Sequence, residues 1–246
     1  MNSTLPLALT FLTKLPWPWR GPADEAALAR SMFWFPWVGA ILGLGYWGAW
    51  AGLQKLPAPA AAALLLTLTV WVTGGLHLDG LADTADGLGG GRTREEALTI
   101  IKDSRVGAFG VISLILGLVL KFSLFLSLAT QTRGTGALLL FPVISRWSMV
   151  LLAYLSPYAR AEGGLGQAMT LGVSPRVLMG ASLSAGGLSL LILGAPGLVL
   201  FIAAGALVWL GSLSFHHRLG GITGDILGAT NEVVEVLVLA GAVILT

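Results

Sequence analysis

At 246 residues, with 55% hydrophobic and 11% charged side chains, the chain carries 14 basic and 12 acidic groups, whereas roughly a quarter of a soluble domain's residues are charged. So few charges cannot cover the surface of a soluble fold of this size, which leaves a polytopic membrane protein. The lack of cysteine excludes disulfides and thiolate chemistry, a net charge of +2 gives nucleic acid no electrostatic footprint, and 34 glycines without a three-residue period exclude collagen.

No basic residue precedes Lys14, and the first apolar run, Leu5 to Leu12, meets no small-residue cleavage site, so no removable signal peptide is expected. Pro16, Trp17, Pro18 and Trp19, between Lys14 and Arg20, suit a segment at the headgroup level and equally a plain extended tail. Stretches apolar enough to cross about 30 Å of hydrocarbon fall at 33–53, 58–77, 107–129, 136–155, 177–194, 196–214 and 226–246. They predict an all-α fold of seven transmembrane helices in one membrane-embedded domain covering the chain. Gly39 with Gly43, and Gly48 with Gly52, are pairs that let helices approach closely, although so glycine-rich a chain produces such pairs by chance.

Basic residues are retained on the cytoplasmic face. Lys14, Arg20, Arg30, Arg92, Arg94, Lys102, Arg105, Arg160, Arg176 and Arg218 fall on one side of the seven spans, Lys55 and Arg133 on the other, with Lys121 and Arg146 inside spans. The N-terminus is therefore expected in the cytoplasm and the C-terminus outside. Every acidic residue lies in a cytoplasmic segment or in the last helix, so the chemistry is expected to face the cytoplasm.

The second span ends in G-G-L-H-L-D-G-L-A-D-T-A-D-G-L, residues 74–88. Asp79, Asp83 and Asp86 stand at i, i+4 and i+7, which on a helix places three carboxylates within an arc of about 60°. Like charges so close repel unless a cation sits between them, and oxygen-only ligation suits Mg²⁺ with substrate phosphate completing its shell. A solvated helix end is the bland alternative, but such faces usually mix in basic residues and this one has none. Gly80 and Gly87 make an unbroken helix uncertain, and His77 points the other way. Asp225 and Glu232, seven apart in the last span, share a face, with Glu235 turned from it by about 60°. Ionised residues in a membrane segment need a partner or a wet cavity. The economical reading joins both acidic groups in one site holding one or two Mg²⁺.

In the longest cytoplasmic loop, Thr93 and Glu96 form a capping-box pattern that predicts a short interfacial helix over 94–103. Lys102 and Arg105 follow, beside a glycine-rich entry to the third span, and suit phosphate oxygens with helix-start amides assisting. Arg92 and Arg94 are read as topology signals only. Arg146, inside the fourth span, needs an anionic partner, for which the acidic site or a phosphate is the natural candidate.

The runs G-G-L-H-L-D-G-L-A-D-T-A-D-G (74–87), K-D-S-R-V-G-A-F-G (102–110), S-R (145–146) and G-D-I-L-G-A-x-x-E (224–232), preceded by F-L-T-K-L-P (11–16), extend over essentially the whole chain. In that order they resemble the cobalamin synthase family. The resemblance implies a Mg²⁺-dependent multi-pass enzyme of the cell inner membrane, late in vitamin B12 synthesis. Such an enzyme transfers adenosylcobinamide phosphate from adenosylcobinamide-GDP to the 5′-hydroxyl of α-ribazole, or to α-ribazole 5′-phosphate, and releases GMP. Combined with the residue reading, it gives Mg²⁺ to Asp79, Asp83, Asp86, Asp225 and Glu232, phosphate charge to Lys102, Arg105 and Arg146, and catalysis to Asp83, Asp225 and Arg146. Two alternatives stay open. Membrane prenyltransferases and CDP-alcohol phosphotransferases bind diphosphates by the same physics with other Asp spacings, and a cation-coupled transporter also uses intramembrane carboxylates.

Overall fold

Apolar length sets the architecture. The computed structural model describes residues 4–17, 24–128, 135–161, 163 and 165–246; Pro18, Trp19, Arg20 and Arg133 lie outside the described residues. Among those described there is no strand, only an isolated bridge between Tyr158 and Ile222. The helices are α1 (Leu5–Leu12), α2 (Glu25–Ser31), α3 (Phe35–Leu53), α4 (Ala58–Thr73), α5 (Leu76–Gly90), α6 (Arg94–Lys102), α7 (Ala108–Leu128), α8 (Thr135–Leu155), α9 (Leu165–Gly172), α10 (Pro175–Leu193), α11 (Ala195–Leu219) and α12 (Gly224–Leu245).

Each of the seven expected spans coincides with a helix. Among the described residues six segments are long and apolar enough to cross a membrane unaided: α2 running into α3, then α7, α8, α10, α11 and α12. The bent pair α4 and α5 supplies the seventh. The chain is thus a multi-pass, all-helical membrane protein.

The acidic run does not continue the second span in line. Gly74 and Gly75 take left-handed φ values of 64° and 72°, and their N–H groups donate to the carbonyls of Trp71 and Val70. Carbonyls at the end of α4 are thereby satisfied and the chain turns. α5 leaves at 88° to α4, so the acidic run turns away from the axis of α4 instead of extending it. It is one unbroken helix despite Gly80 and Gly87. Both glycines mark close approaches: a Cβ on Gly80 would meet the backbone of Asp225 in α12, and one on Gly87 would meet Ala97 and Ile101 in α6.

α8 is the axis of the bundle, with residues 140–150 all buried. Gly39 and Gly43 seat α3 against it, since a Cβ at either would strike the backbone of Pro142 or Leu139, whereas Gly48 and Gly52 face open space. The first pair is a packing device and the second is not. Trp147 packs against Phe201 with the two rings tilted by 39° and donates to the Ser182 hydroxyl at 3.0 Å, a core role. α6 carries the reciprocal cap expected of it: the Glu96 N–H donates to Thr93 Oγ1 at 3.2 Å and the Thr93 N–H to Glu96 Oε2 at 3.3 Å, with Ala97 and Ile101 buried.

Candidate active site

The first turns of α5 and α12 cross where Gly80 rests on Asp225 and Gly228 on His77. This contact brings Asp79 and Asp83 of one helix near Asp225 of the other. Asp79 is exposed, while Asp83 and Asp225 are half-buried. Asp225 is held by two donors, the Thr223 hydroxyl and the Arg160 guanidinium, each 3.1 Å from its Oδ2. Arg160 reaches it because the segment after α8 pairs with the turn before α12. The Ala159 N–H donates to the Ile222 carbonyl, and the Ile222 N–H to the Pro157 carbonyl, both at 2.9 Å.

Half-buried Asp83 stands among the like charges of Asp79, Asp225 and Asp86, with Arg160 the cation opposing them. The set therefore has oxygen donors only and a surplus of negative charge that a divalent cation relieves. Among the described residues no three carboxylate or histidine groups stand at metal-holding spacing. The arrangement does not form an all-protein cage. It fits Mg²⁺, which is commonly held by one or two carboxylates with water and substrate phosphate filling the remaining positions.

Other expected members stand elsewhere. Asp86 is buried and accepts the N–H groups of Gly107 and Gly110 at 2.6 and 2.8 Å. Its carboxylate, not a phosphate, takes the amides at the entry to α7. Glu232 is also buried and pairs with Lys121 of α7 at 2.6 Å. Lys121 also donates to Glu235, and Glu235 accepts from Arg146 and Asn231. The expected single site of five carboxylates is thus two: an accessible one of Asp79, Asp83 and Asp225, and a buried network in which Glu232 belongs. Arg146 is 1% exposed and is bound to Glu235 and Ser145, so its anionic partner is a protein carboxylate and it does not present itself to phosphate.

Lys102 and Arg105 are exposed around the α6–α7 turn. Arg105 pairs with Asp103 two residues away at 2.6 Å, with 88% of its side chain accessible. Arg94 has a structural task as well, donating to the carbonyls of Leu219 and Ala159 at 2.8 and 3.0 Å. Sequence reasoning counted Arg160 only as a topology signal and set Glu235 aside as turned from the face. The need of each buried or half-buried charge for a partner is the signal that points to both. Asp79 also borders a cavity of about 550 Å³ between α1, the α4–α5 corner and α7.

The family described as cobalamin-5-phosphate synthase matches residues 4–243. Adenosylcobinamide-GDP ribazoletransferase of Pseudomonas putida strain GB-1 is 45% identical over 237 residues, 96% of each chain. The protein of that name from Pseudomonas putida strain W619 is 44% identical over 244 residues, 98% of each chain. That from Desulfitobacterium hafniense strain Y51 is 41% identical over 240 residues, 96% of this chain and 94% of its own. No solved structure matches. With a family match running through every helix from α1 to α12, the chain belongs to the cobalamin-5-phosphate synthase family.

Proposed function

We propose that the chain is an adenosylcobinamide-GDP ribazoletransferase acting at the cytoplasmic face of the cell inner membrane. The observation that carries this reading is the 41–45% identity across nearly the full length of enzymes bearing that name. Orientation is supported by charge. Lys14, Arg30, Arg92, Arg94, Lys102, Arg105, Arg160, Arg176 and Arg218 gather at the end of the bundle that holds Asp79, Asp83 and Asp225, and Lys55 lies at the other.

The substrates are adenosylcobinamide-GDP and α-ribazole or its 5′-phosphate. An acceptor oxygen attacks the phosphorus that carries the cobinamide, a P–O bond forms, the diphosphate bond breaks, and GMP departs. The resemblance suggested the 5′-hydroxyl as nucleophile. In α-ribazole 5′-phosphate that oxygen is already esterified, so an enzyme that uses either acceptor attacks through a ribose ring hydroxyl that both possess. One carboxylate of the Asp79, Asp83 and Asp225 set takes the hydroxyl proton. Mg²⁺ held by these three would neutralise diphosphate charge. Arg160 fixes the Asp225 carboxylate, and Arg105, exposed beside the cavity-lining Val106, offers a cation to the departing phosphate.

The test is release of GMP from adenosylcobinamide-GDP by the purified, lipid-reconstituted protein given Mg²⁺ and α-ribazole or its 5′-phosphate. Stoichiometric GMP and cobalamin are expected. Folded protein that releases no GMP with either acceptor overturns the assignment.

A further inference from the structure

The 550 Å³ cavity at the α4–α5 corner has two kinds of wall. Lys14 and Asp79 supply its charges, and Phe11, Val106, Leu114 and Leu118 supply an apolar side. Lys14 is fixed there at two points. Its N–H donates to the Val72 carbonyl at 2.7 Å, and its stem lies across Gly74, where a Cβ would collide with Lys14 Cε. Gly74 is therefore required twice, by its left-handed φ of 64° and by the lysine laid over it.

Among the described residues the Lys14 ammonium has no carboxylate partner. Asp79 borders the same cavity without reaching it. Two opposite charges that share a cavity and do not meet leave room for a ligand that offers an anion to one and a hydroxyl to the other. A volume of this size suits a nucleoside monophosphate, and is too small for a cobinamide nucleotide. The apolar wall selects among nucleosides. Guanine carries several N–H donors and a carbonyl that need partners when buried, whereas the dimethylbenzimidazole of α-ribazole has two methyl groups and no N–H donor.

We propose that this cavity is the acceptor-nucleoside subsite, with Lys14 binding the 5′-phosphate of α-ribazole 5′-phosphate as a point charge and Asp79 placed toward the ribose. This rests on the proposed transferase reading for the identity of the nucleoside. Lys14 is then a specificity-determining residue that favours the phosphorylated acceptor.

The experiment measures calorimetric binding of α-ribazole 5′-phosphate and of α-ribazole to the full-length protein without adenosylcobinamide-GDP, in wild type, Lys14→Met and Lys14→Arg. The expected result is at least a tenfold weaker Kd for the phosphate in Lys14→Met, a smaller change for α-ribazole, and recovery in Lys14→Arg. In turnover, the ratio of kcat/KM for the phosphorylated over the unphosphorylated acceptor should fall by a similar factor. An equal loss for both ligands, or no loss for the phosphate, overturns the proposal. Lys14-dependent binding in a protein that releases no GMP would instead remove the transferase reading and leave the subsite standing.

Discussion

Lys121 Nζ lies 2.6 Å from Glu232 Oε2, and both side chains are buried between α7 and α12. With Glu235 and Arg146 they form a network of two cations and two anions that ties α7, α8 and α12 together. Removing one partner of such a network leaves an uncompensated charge, at a cost of about 3–5 kcal/mol for a buried pair. Lys121→Met should therefore lower stability by about that amount, and Lys121→Met with Glu232→Gln should recover much of it because the charges balance again. Thermal unfolding of the four proteins of this cycle in detergent gives the coupling. A cycle with purely additive losses would show that the pair does not act as a unit.

Two of the three carboxylates of the 79–86 run, Asp83 and Asp86, should separate by phenotype. Asp86→Asn leaves one carbonyl to face two N–H donors and turns an amide NH₂ toward the other. We expect a stability loss of about 1–3 kcal/mol with Mg²⁺ response retained. Asp83→Asn should do the reverse, remaining folded while GMP release drops by about 100-fold or more. Denaturant midpoints and initial rates measured side by side decide this. Matching phenotypes for the two variants would return Asp86 to the active set.

The spans were legible because apolar length is a local property of the sequence, and the α6 cap was legible because Thr93 and Glu96 satisfy each other within one turn. The site was only partly so. Positions seven apart share a helix face yet stand two turns, about 10.5 Å, apart along the axis. Asp79 and Asp83 therefore remain neighbours while Asp86 reaches the start of α7, and Asp225 stays at the start of α12 beside Arg160 while Glu232 is buried against Lys121 of α7. The 88° corner is made locally by the left-handed Gly74 and Gly75, which apolar length does not weigh, whereas the meeting of Arg160 with Asp225 depends on the pairing of the chain around Tyr158 and Ile222, a contact distant in sequence.

Ligand linkage offers a test of the metal that does not require turnover. A cation that binds only the folded protein raises stability by about 2.7 kcal/mol at a hundred times its Kd. Mg²⁺ should thus raise the unfolding temperature of the wild type, and the increment should shrink in Asp79→Asn, Asp83→Asn and Asp225→Asn while persisting in Glu232→Gln. The comparison is of increments, so a lower starting stability in any variant does not obscure it. A full increment in all three aspartate variants would detach Mg²⁺ from this set.

Gly80 tests whether the site depends on the crossing of α5 and α12. A methyl group there would meet the Asp225 carbonyl and Cα, backbone atoms that cannot rotate away, so Gly80→Ala must push the helices apart. Overpacking of this kind costs about 1–3 kcal/mol, and it moves Asp225 relative to Asp79 and Asp83. Gly48, on the outward side of α3 with nothing within 4 Å of an added Cβ, is the control. There alanine should be neutral or stabilising by up to about 1 kcal/mol, the helix propensity difference. Gly80→Ala should lose GMP release out of proportion to its stability loss, with the fraction folded at the assay temperature used to correct the rate. If the corrected rate equals that of Gly48→Ala, the carboxylates do not need the close crossing, and the site is set by α5 alone.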